Sequence, residues 1–290
     1  MSEQYIKRIR TDAGDLQIDY NELANKPTIS NPNLLINSDF RNPVNQRGNT
    51  TYTANETKTH VYTIDRWRFK DTKNTLTVTV KENSVHISNV SSSEVLFQQC
   101  FEDVLPTGDY TASIKVTSIT GNVRMFTQSY SEYLVSGINT YTWEDLANNN
   151  QFILAIGANS SIEIEYIKFE VGTIATAFSP RLYAEELVLC RRYYKKYRHT
   201  YLIGIGMVLT DGIVLPLPQQ SMRIEAPKFT ILEETKFNPT SNLTGTFINL
   251  TANYAVINDR TQFVVFQKGS SQQGDIGRIY GAFELDAEIY

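Results

Sequence analysis

Apolar side chains recur at every second position through much of this chain. Leu76, Val78 and Val80 alternate with threonines, and Val85 and Ile87 repeat the pattern. Tyr110, Ala112, Ile114 and Val116 form another period of two, and Val123 with Met125 follows the Gly121-Asn122 turn. Ile162, Ile164 and Tyr166 put Glu163 and Glu165 on the opposite, wet face, after which Ile167, Phe169 and Val171 continue in the other register. Successive side chains of a strand point to opposite faces, so this alternation predicts strands with one buried face. Turn signals recur roughly every 8–12 residues between Asn33 and Pro180, the spacing of a β-sandwich.

Residues 182–198, LYAEELVLCRRYYKKYR, break that rhythm. Leu182, Leu189, Tyr193 and Tyr197 fall at wider spacings, and Glu185-Glu186 precede Arg191-Arg192 and Lys195-Lys196. Acid first and base last complements a helix dipole, so the stretch reads as one short helix, or as a helical turn leading into a strand. Strands return at Leu202–Leu209, Gly212–Leu217, Lys228–Leu232, Thr246–Leu250, Tyr254–Ile257, Gln262–Gln267 and Ala282–Ile289, separated by loops such as Asn238 to Asn242 and Lys268 to Gly274. The expected class is all-β: a β-sandwich over residues 33–180, then a leading helix and a smaller β-domain over 181–290. Residues 1–32 form a separate segment, broken at Asn25-Lys26-Pro27 and Ser30-Asn31-Pro32, and too short to bury a core alone.

Composition narrows the classes. With 290 residues and 41% hydrophobic content the chain can bury one or two cores. A formal net charge of -4 does not supply the concentrated basic surface that displaces counterions from nucleic-acid phosphates. No window approaches the roughly 18 consecutive apolar residues of a membrane span, and the opening MSEQYIKRIR lacks a signal peptide's apolar stretch. Two cysteines, Cys100 and Cys190, lie far apart without a CxxC partner and read as a reduced, buried pair. Tyr, Phe, Thr, Asn and Ser dominate the palette, as in β-rich proteins.

Three stretches carry a resemblance. Ile18-Asp19-Tyr20-Asn21-Glu22-Leu23-Ala24-Asn25-Lys26-Pro27 resembles the attachment peptide at the N-terminus of many phage fibres. Asn33-Leu34-Leu35-Ile36-Asn37-Ser38-Asp39-Phe40, with Asn45-Gln46-Arg47-Gly48 and Ile64-Asp65-Arg66-Trp67, is similar to the opening of carbohydrate-binding-module-like jelly rolls in phage appendage proteins. Phe169 to Arg181, followed by Glu186-Leu187-Val188-Leu189-Cys190-Arg191-Arg192-Tyr193-Tyr194, looks like the closing strand of that module and its linker to a C-terminal domain. Leu215-Pro216-Leu217-Pro218 and Met222 to Pro227 fit the same C-terminal domain. The resemblance is to phage tail-fibre, baseplate and head-fibre proteins. It implies a virion protein, symmetric assembly such as a homotrimer, and virion attachment through residues 1–32 (with Ile18, Tyr20, Leu23 and Pro27 as contacts); it names no ligand, and adhesion to a host-surface glycan is the expectation placed on the loops of the body. Synthesis in the host bacterial cytoplasm and residence on the particle surface follow from it, without nucleic acid or membrane insertion.

Individual residues sharpen those expectations. Aromatic faces bind the apolar side of a pyranose ring, and Tyr130, Tyr133 and Trp143 are the candidates for such contact; Trp67, between Ile64 and Phe69, reads as core. The tyrosines and bases of Arg191, Tyr193, Tyr194 and Tyr197 suit a protein interface better than a polyanion site, with the bases paired to Glu185 and Glu186 or to a neighbouring subunit. The resemblance to jelly-roll modules implies a structural Ca²⁺, for which Asp39, Asp65 and Asp71 are the candidates, though no acidic loop of calcium-binding spacing is present, and Asp39 and Asp65 read rather as turn or strand-end residues. His60, His86 and His199 are isolated, and no GxSxG, HExxH, P-loop or GxGxxG motif occurs. Adjacent acids such as Glu102-Asp103 or Glu144-Asp145 point to opposite strand faces and do not pair as a glycosidase would need. The expected function is therefore non-enzymatic: a fibre or receptor-binding component, with a head fibre, decoration, collar or baseplate part as the alternative and a glycan-degrading enzyme behind both.

Overall fold

A computed structural model describes residues 10–11, 14–15, 30–53, 60–70, 76–209, 212–217, 222–224, 226–232, 235–239, 248–257, 262–267 and 276–288. Short strands β1 (Arg10–Thr11) and β2 (Gly14–Asp15) pair antiparallel. The next twelve strands make two antiparallel sheets of six. They are β3 (Thr51–Thr53), β4 (His60–Tyr62), β5 (Arg68–Lys70), β6 (Leu76–Val80), β7 (Val85–Asn89), β8 (Val95–Cys100), β9 (Gly108–Thr120), β10 (Val123–Phe126), β11 (Tyr130–Tyr133), β12 (Gly137–Leu146), β13 (Gln151–Ile156) and β14 (Ser160–Val171). One sheet runs β12-β9-β14-β7-β6-β3 and the other β11-β10-β13-β8-β5-β4.

The inner faces of these sheets share one core, in which Trp67, Phe69, Phe97, Ile114, Phe152 and Phe169 have no more than a trace of exposure. Trp67 stacks on Phe97 at 5.1 Å and meets Phe40 edge-on at 5.4 Å, as expected of a sandwich-core tryptophan. The register change anticipated in β14 is a bulge: its pairing with β9 slips between Glu163 and Ile164 and again between Ile164 and Tyr166. An extra residue there keeps Ile162 and Ile164 inward and then Ile167 and Phe169 inward. Two positions depart from the expectation. Tyr166 is only half-buried, because the bulge turns it onto Phe178, and Val171 is 57% exposed where the strand leaves the sheet.

One helix among the described residues, α1 (Tyr183–Arg191), follows the sandwich. The basic run does not continue it. Tyr194 opens β15 (Tyr194–Val208), so the expected short helix is present, ends at Arg191, and is followed at once by a strand. The reason lies across the sheet: Tyr197 stacks on Phe283 at 4.7 Å, Tyr194 donates to Glu284 at 2.6 Å, and Lys196 registers with Glu284. Tertiary partners on β22 (Ile276–Asp286) outweigh the local helical charge pattern.

The C-terminal sheet is completed by β16 (Ile213–Pro216), β17 (Lys228–Ile231), β18 (Thr235–Pro239), β19 (Ile248–Leu250), β20 (Ala252–Ile257) and β21 (Gln262–Phe266). The order is β19-β18-β22-β15-β16-β21-β20, with β17 also on β22. It has its own core around Phe237, Val264, Phe266, Ile279, Phe283 and Leu285. The last strand begins six residues before the expected Ala282 and ends at Asp286, and the expected loop at Asn238-Pro239 is the end of β18.

Candidate functional site

Motif residues far apart in sequence meet where the sandwich joins the C-terminal sheet. Asn37 adopts the left-handed conformation at φ 57°, which asparagine tolerates better than most residues. Its amide donates to the carbonyls of Val44 and Asp65, both at 2.8 Å, while its oxygen accepts from Val44 N–H at 2.7 Å. The Trp67 indole donates to the Asn37 carbonyl at 2.8 Å, and the Asn37 N–H donates to Glu186 at the start of α1. The turn Ile64–Trp67 then presents Asp65 and Arg66 to the second domain.

Arg66 is 1% exposed and reaches Glu288, past the last strand, at 2.8 Å. Its guanidinium also donates to the Cys100 carbonyl and lies 3.5 Å from the centre of the Tyr193 ring. Arg47 stands 3.9 Å over Tyr194, 3.4 Å from Asp65 and 3.5 Å from Glu288. Burial works against the Arg47 charge, but Glu288, Asp65 and Asp286 outweigh it and hold the guanidinium protonated. Burial pushes Asp65 up to about 6, against the pull of Arg47 and of the Gln46 amide that donates to it at 2.6 Å. Gln46 also donates to the Tyr194 carbonyl at 2.7 Å, and Lys196 to the Arg47 carbonyl at 2.9 Å. Nearer solvent, Arg192 meets Glu102 at 2.6 Å and draws its carboxyl below the usual range. Cys190 is a buried thiol pushed well up by desolvation, and Cys100 is likewise buried and free.

The linker that carries α1 is pinned to β14. Lys168 and Glu170 are a buried ion pair at 3.1 Å on the outer face of that strand. Lys168 donates to Ser30 and to the Ala177 carbonyl, and Glu170 accepts from Thr176 N–H at 2.9 Å. Arg181 reaches the carbonyls of Leu35 and Asn33 and pairs with Glu186 at 3.3 Å. Beside it lies a cleft of about 300 Å³ lined by Ser30, Asn31, Asp39, Phe178, Arg181 and Glu185, among others.

A second feature is exposed. Arg124 lies 3.7 Å over Tyr130 and 5.0 Å from Tyr133, on the edge of one sandwich sheet. Glu94 accepts from the Tyr130 hydroxyl at 2.9 Å and pairs with Arg124 at 3.4 Å. Tyr130 is 40% and Tyr133 55% exposed, and Val135 and Ile138 extend the ridge between the edge strands β11 and β12.

The structure corrects several expectations. Trp143 is buried: its indole donates to Ser129 at 3.0 Å and it packs edge-on against Tyr141, so it offers no face to a ligand. Tyr193 and Tyr194 are covered by this chain's own domains and Tyr197 is half-buried, so these tyrosines build an internal joint, while Arg191 stays exposed. Glu185 caps the Leu182 N–H and Glu186 takes Arg181, so neither pairs with the basic run; Glu102 does, through Arg192. Burial, assisted by Arg191, pulls Lys195 down to about 8. Asp39 is held by Arg41 and Asp65 by Arg47, so they do not converge on a shared cation, and among the described residues no trio of metal-ligating side chains converges. Asp71, Ile18, Tyr20, Leu23 and Pro27 lie outside the described residues. Sequence reasoning missed the roles of Glu288 and Glu102, which carry no motif, and the pairing of Arg124 with Glu94, which reaches across β13 from β10 to the residue before β8; Arg66 was visible only as a motif letter, and Asp65 as a turn or cation candidate rather than as a partner of Arg47.

No protein-family model matches the chain, and no curated protein matches it. Among solved structures it is similar to a beta-porphyranase of glycoside hydrolase family 86 from the human gut bacterium Bacteroides plebeius, at 11% identity and a TM-score of 0.15. That likeness covers 74% of this chain but 36% of the enzyme's length, and at such a score it carries no argument about function.

Proposed function

We propose that the chain is a non-catalytic surface component of a bacteriophage particle, held to the virion by residues 1–32, trimeric, and adhesive toward a host-surface glycan. The observation that carries this reading is the convergence of its motif residues. Asn37, Arg47, Asp65 and Arg66 come from stretches that resemble phage appendage modules, and Glu186, Cys190, Tyr193 and Tyr194 from the linker that resembles theirs. All eight gather in the single joint between sandwich and C-terminal sheet. An extended appendage needs domains coupled firmly enough to transmit force, and buried ion pairs strongly resist separation, because parting them leaves uncompensated charge.

The ridge of Tyr130, Tyr133 and Arg124 supports the adhesive half. Exposed tyrosines beside a guanidinium suit weak polar ligands, and many copies on one particle raise weak contacts to useful avidity. Two measurements test the reading. Particles purified from the encoding phage should contain the chain in multiple copies; particles lacking it would overturn the virion reading. Replacing Tyr130 and Tyr133 together with alanine should lower adsorption of the isolated protein to host cells at least tenfold while leaving its fold intact. Unchanged adsorption would remove the ridge from the account, and release of sugar from host polysaccharide would overturn the non-catalytic part.

A further inference from the structure

We infer that the cleft between the linker and the sandwich is a binding site for a neutral hexopyranose unit, separate from the Tyr130–Tyr133 ridge. The cleft of about 300 Å³ is large enough for one sugar ring, at the lower end of small-ligand sites. One wall is aromatic. Phe178 lines the cleft, and Tyr166 lies behind it in a near-parallel stack at 4.1 Å and 6°. The Arg41 guanidinium sits 5.5 Å from the Phe178 ring and 6.0 Å from Tyr166, bracing the pair. A half-buried aromatic ring backed by a second ring is a surface against which the C–H face of a pyranose can stack, with little ordering cost on the protein side.

The opposite character is also present. Asp39 lines the cleft with its carboxylate fixed by three bonds from Arg41, two from the guanidinium at 2.7 and 2.9 Å and one from the backbone N–H at 3.3 Å. Those bonds use part of its acceptor capacity, and a carboxylate offers about four lone-pair sites in all. Sugar hydroxyls are donors that a pre-oriented carboxylate accepts strongly. Glu185 lies on the rim, and Asn31 is anchored through Val171 and Thr176, so the polar groups are held in place before any ligand arrives.

Charge selects the class. Of the three carboxylates that line the cleft, Asp39 is paired with Arg41 and Glu186 with Arg181, which leaves Glu185 as the one lining carboxylate without a counter-charge there. An acidic sugar would meet that remaining negative charge, and Arg181 is already committed to Glu186 and to two carbonyls, so a neutral ring is favoured.

Saturation-transfer NMR on the full chain tests this with methyl β-glucopyranoside, methyl β-galactopyranoside and methyl α-mannopyranoside, and with methyl β-glucuronide as the anionic counterpart. At least one neutral glycoside should receive saturation at its ring C–H protons, and the glucuronide should not. Phe178→Ala should weaken binding at least tenfold, whereas Phe178→Tyr and Tyr133→Ala should retain it. Tryptophan fluorescence from buried Trp67 and Trp143 reports whether each variant is folded, and Asp39→Asn, which leaves the aromatic wall intact, should cost at least threefold on its own. Binding by none of the neutral glycosides, equal binding of the glucuronide, or binding indifferent to both Phe178→Ala and Asp39→Asn would overturn the site. Loss of the cleft with Tyr133-dependent adsorption intact would sink this inference alone and leave the particle reading standing.

Discussion

Asp65 has no exposed side-chain surface, yet it must share its pocket with Glu288 as well as Arg47. Burial raises its carboxyl from 3.8 to about 6. A carboxyl raised in the fold binds a proton more tightly when native, so its contribution to stability is fully present below the ordinary value and is lost as pH rises through about 6. The shift corresponds to something on the order of 3 kcal/mol between those limits. Asp65→Asn removes the titration. The melting temperature of the native protein relative to Asp65→Asn should therefore climb as pH falls from 7 to 4, and a constant difference would show that Asp65 does not titrate in that window. Trp67→Ala should cost about 3–5 kcal/mol in chemical denaturation, because it empties the centre of the sandwich core and strands the Asn37 carbonyl. Gly121, at φ 74°, has Ser160 2.3 Å from where a Cβ would stand, so alanine there should be destabilising by 1 kcal/mol or more in the same assay, as expected of strain in a tight turn.

At the scale of elements, the strands of the sandwich were legible because one face of each is buried and period two survives in the residue types. The bulge in β14 was legible too, since Ile164 and Ile167 cannot both face inward on an unbroken strand. The helix end was not. Glu185-Glu186 and the bases after them look alike whether the bases continue a helix or begin a strand, and the partner that decides, β22, comes about ninety positions later in the chain. Trp143 misled for a related reason: its polar neighbours Glu144 and Asp145 belong to an irregular strand end with Asp145 at φ 50°, while the indole itself turns inward. Tyr133→Ala should leave stability within about 0.5 kcal/mol of the native protein, since the side chain is largely exposed; a larger loss would mark Tyr133 as structural and weaken its assignment to adhesion.

For the whole molecule, the joint is what sequence could not display. Its motif letters were in view, but Glu288 stands 222 positions from Arg66 and has no neighbouring pattern to announce it. Glu288→Gln keeps the shape and removes the charge, leaving Arg66 uncompensated at 1% exposure; such a loss costs about 3–5 kcal/mol in equilibrium unfolding. Replacing both partners with apolar residues of similar size should recover most of that cost. By contrast, the outer pair Arg192–Glu102 is partly exposed, and breaking it should cost no more than about 1 kcal/mol. A joint that depends on its buried pair and not on its outer one is the behaviour expected of a coupling built to hold two domains as a unit. The particle reading then adds a direction to that unit, with residues 1–32 inward and the C-terminal sheet outward. Electron microscopy of intact phage particles labelled with antibody against residues 181–290 tests this most directly. Gold at a fixed distance outside the particle's attachment surface, abolished when residues 1–32 are deleted from the gene, is the predicted result; unlabelled particles, or labelling that survives the deletion, would contradict it.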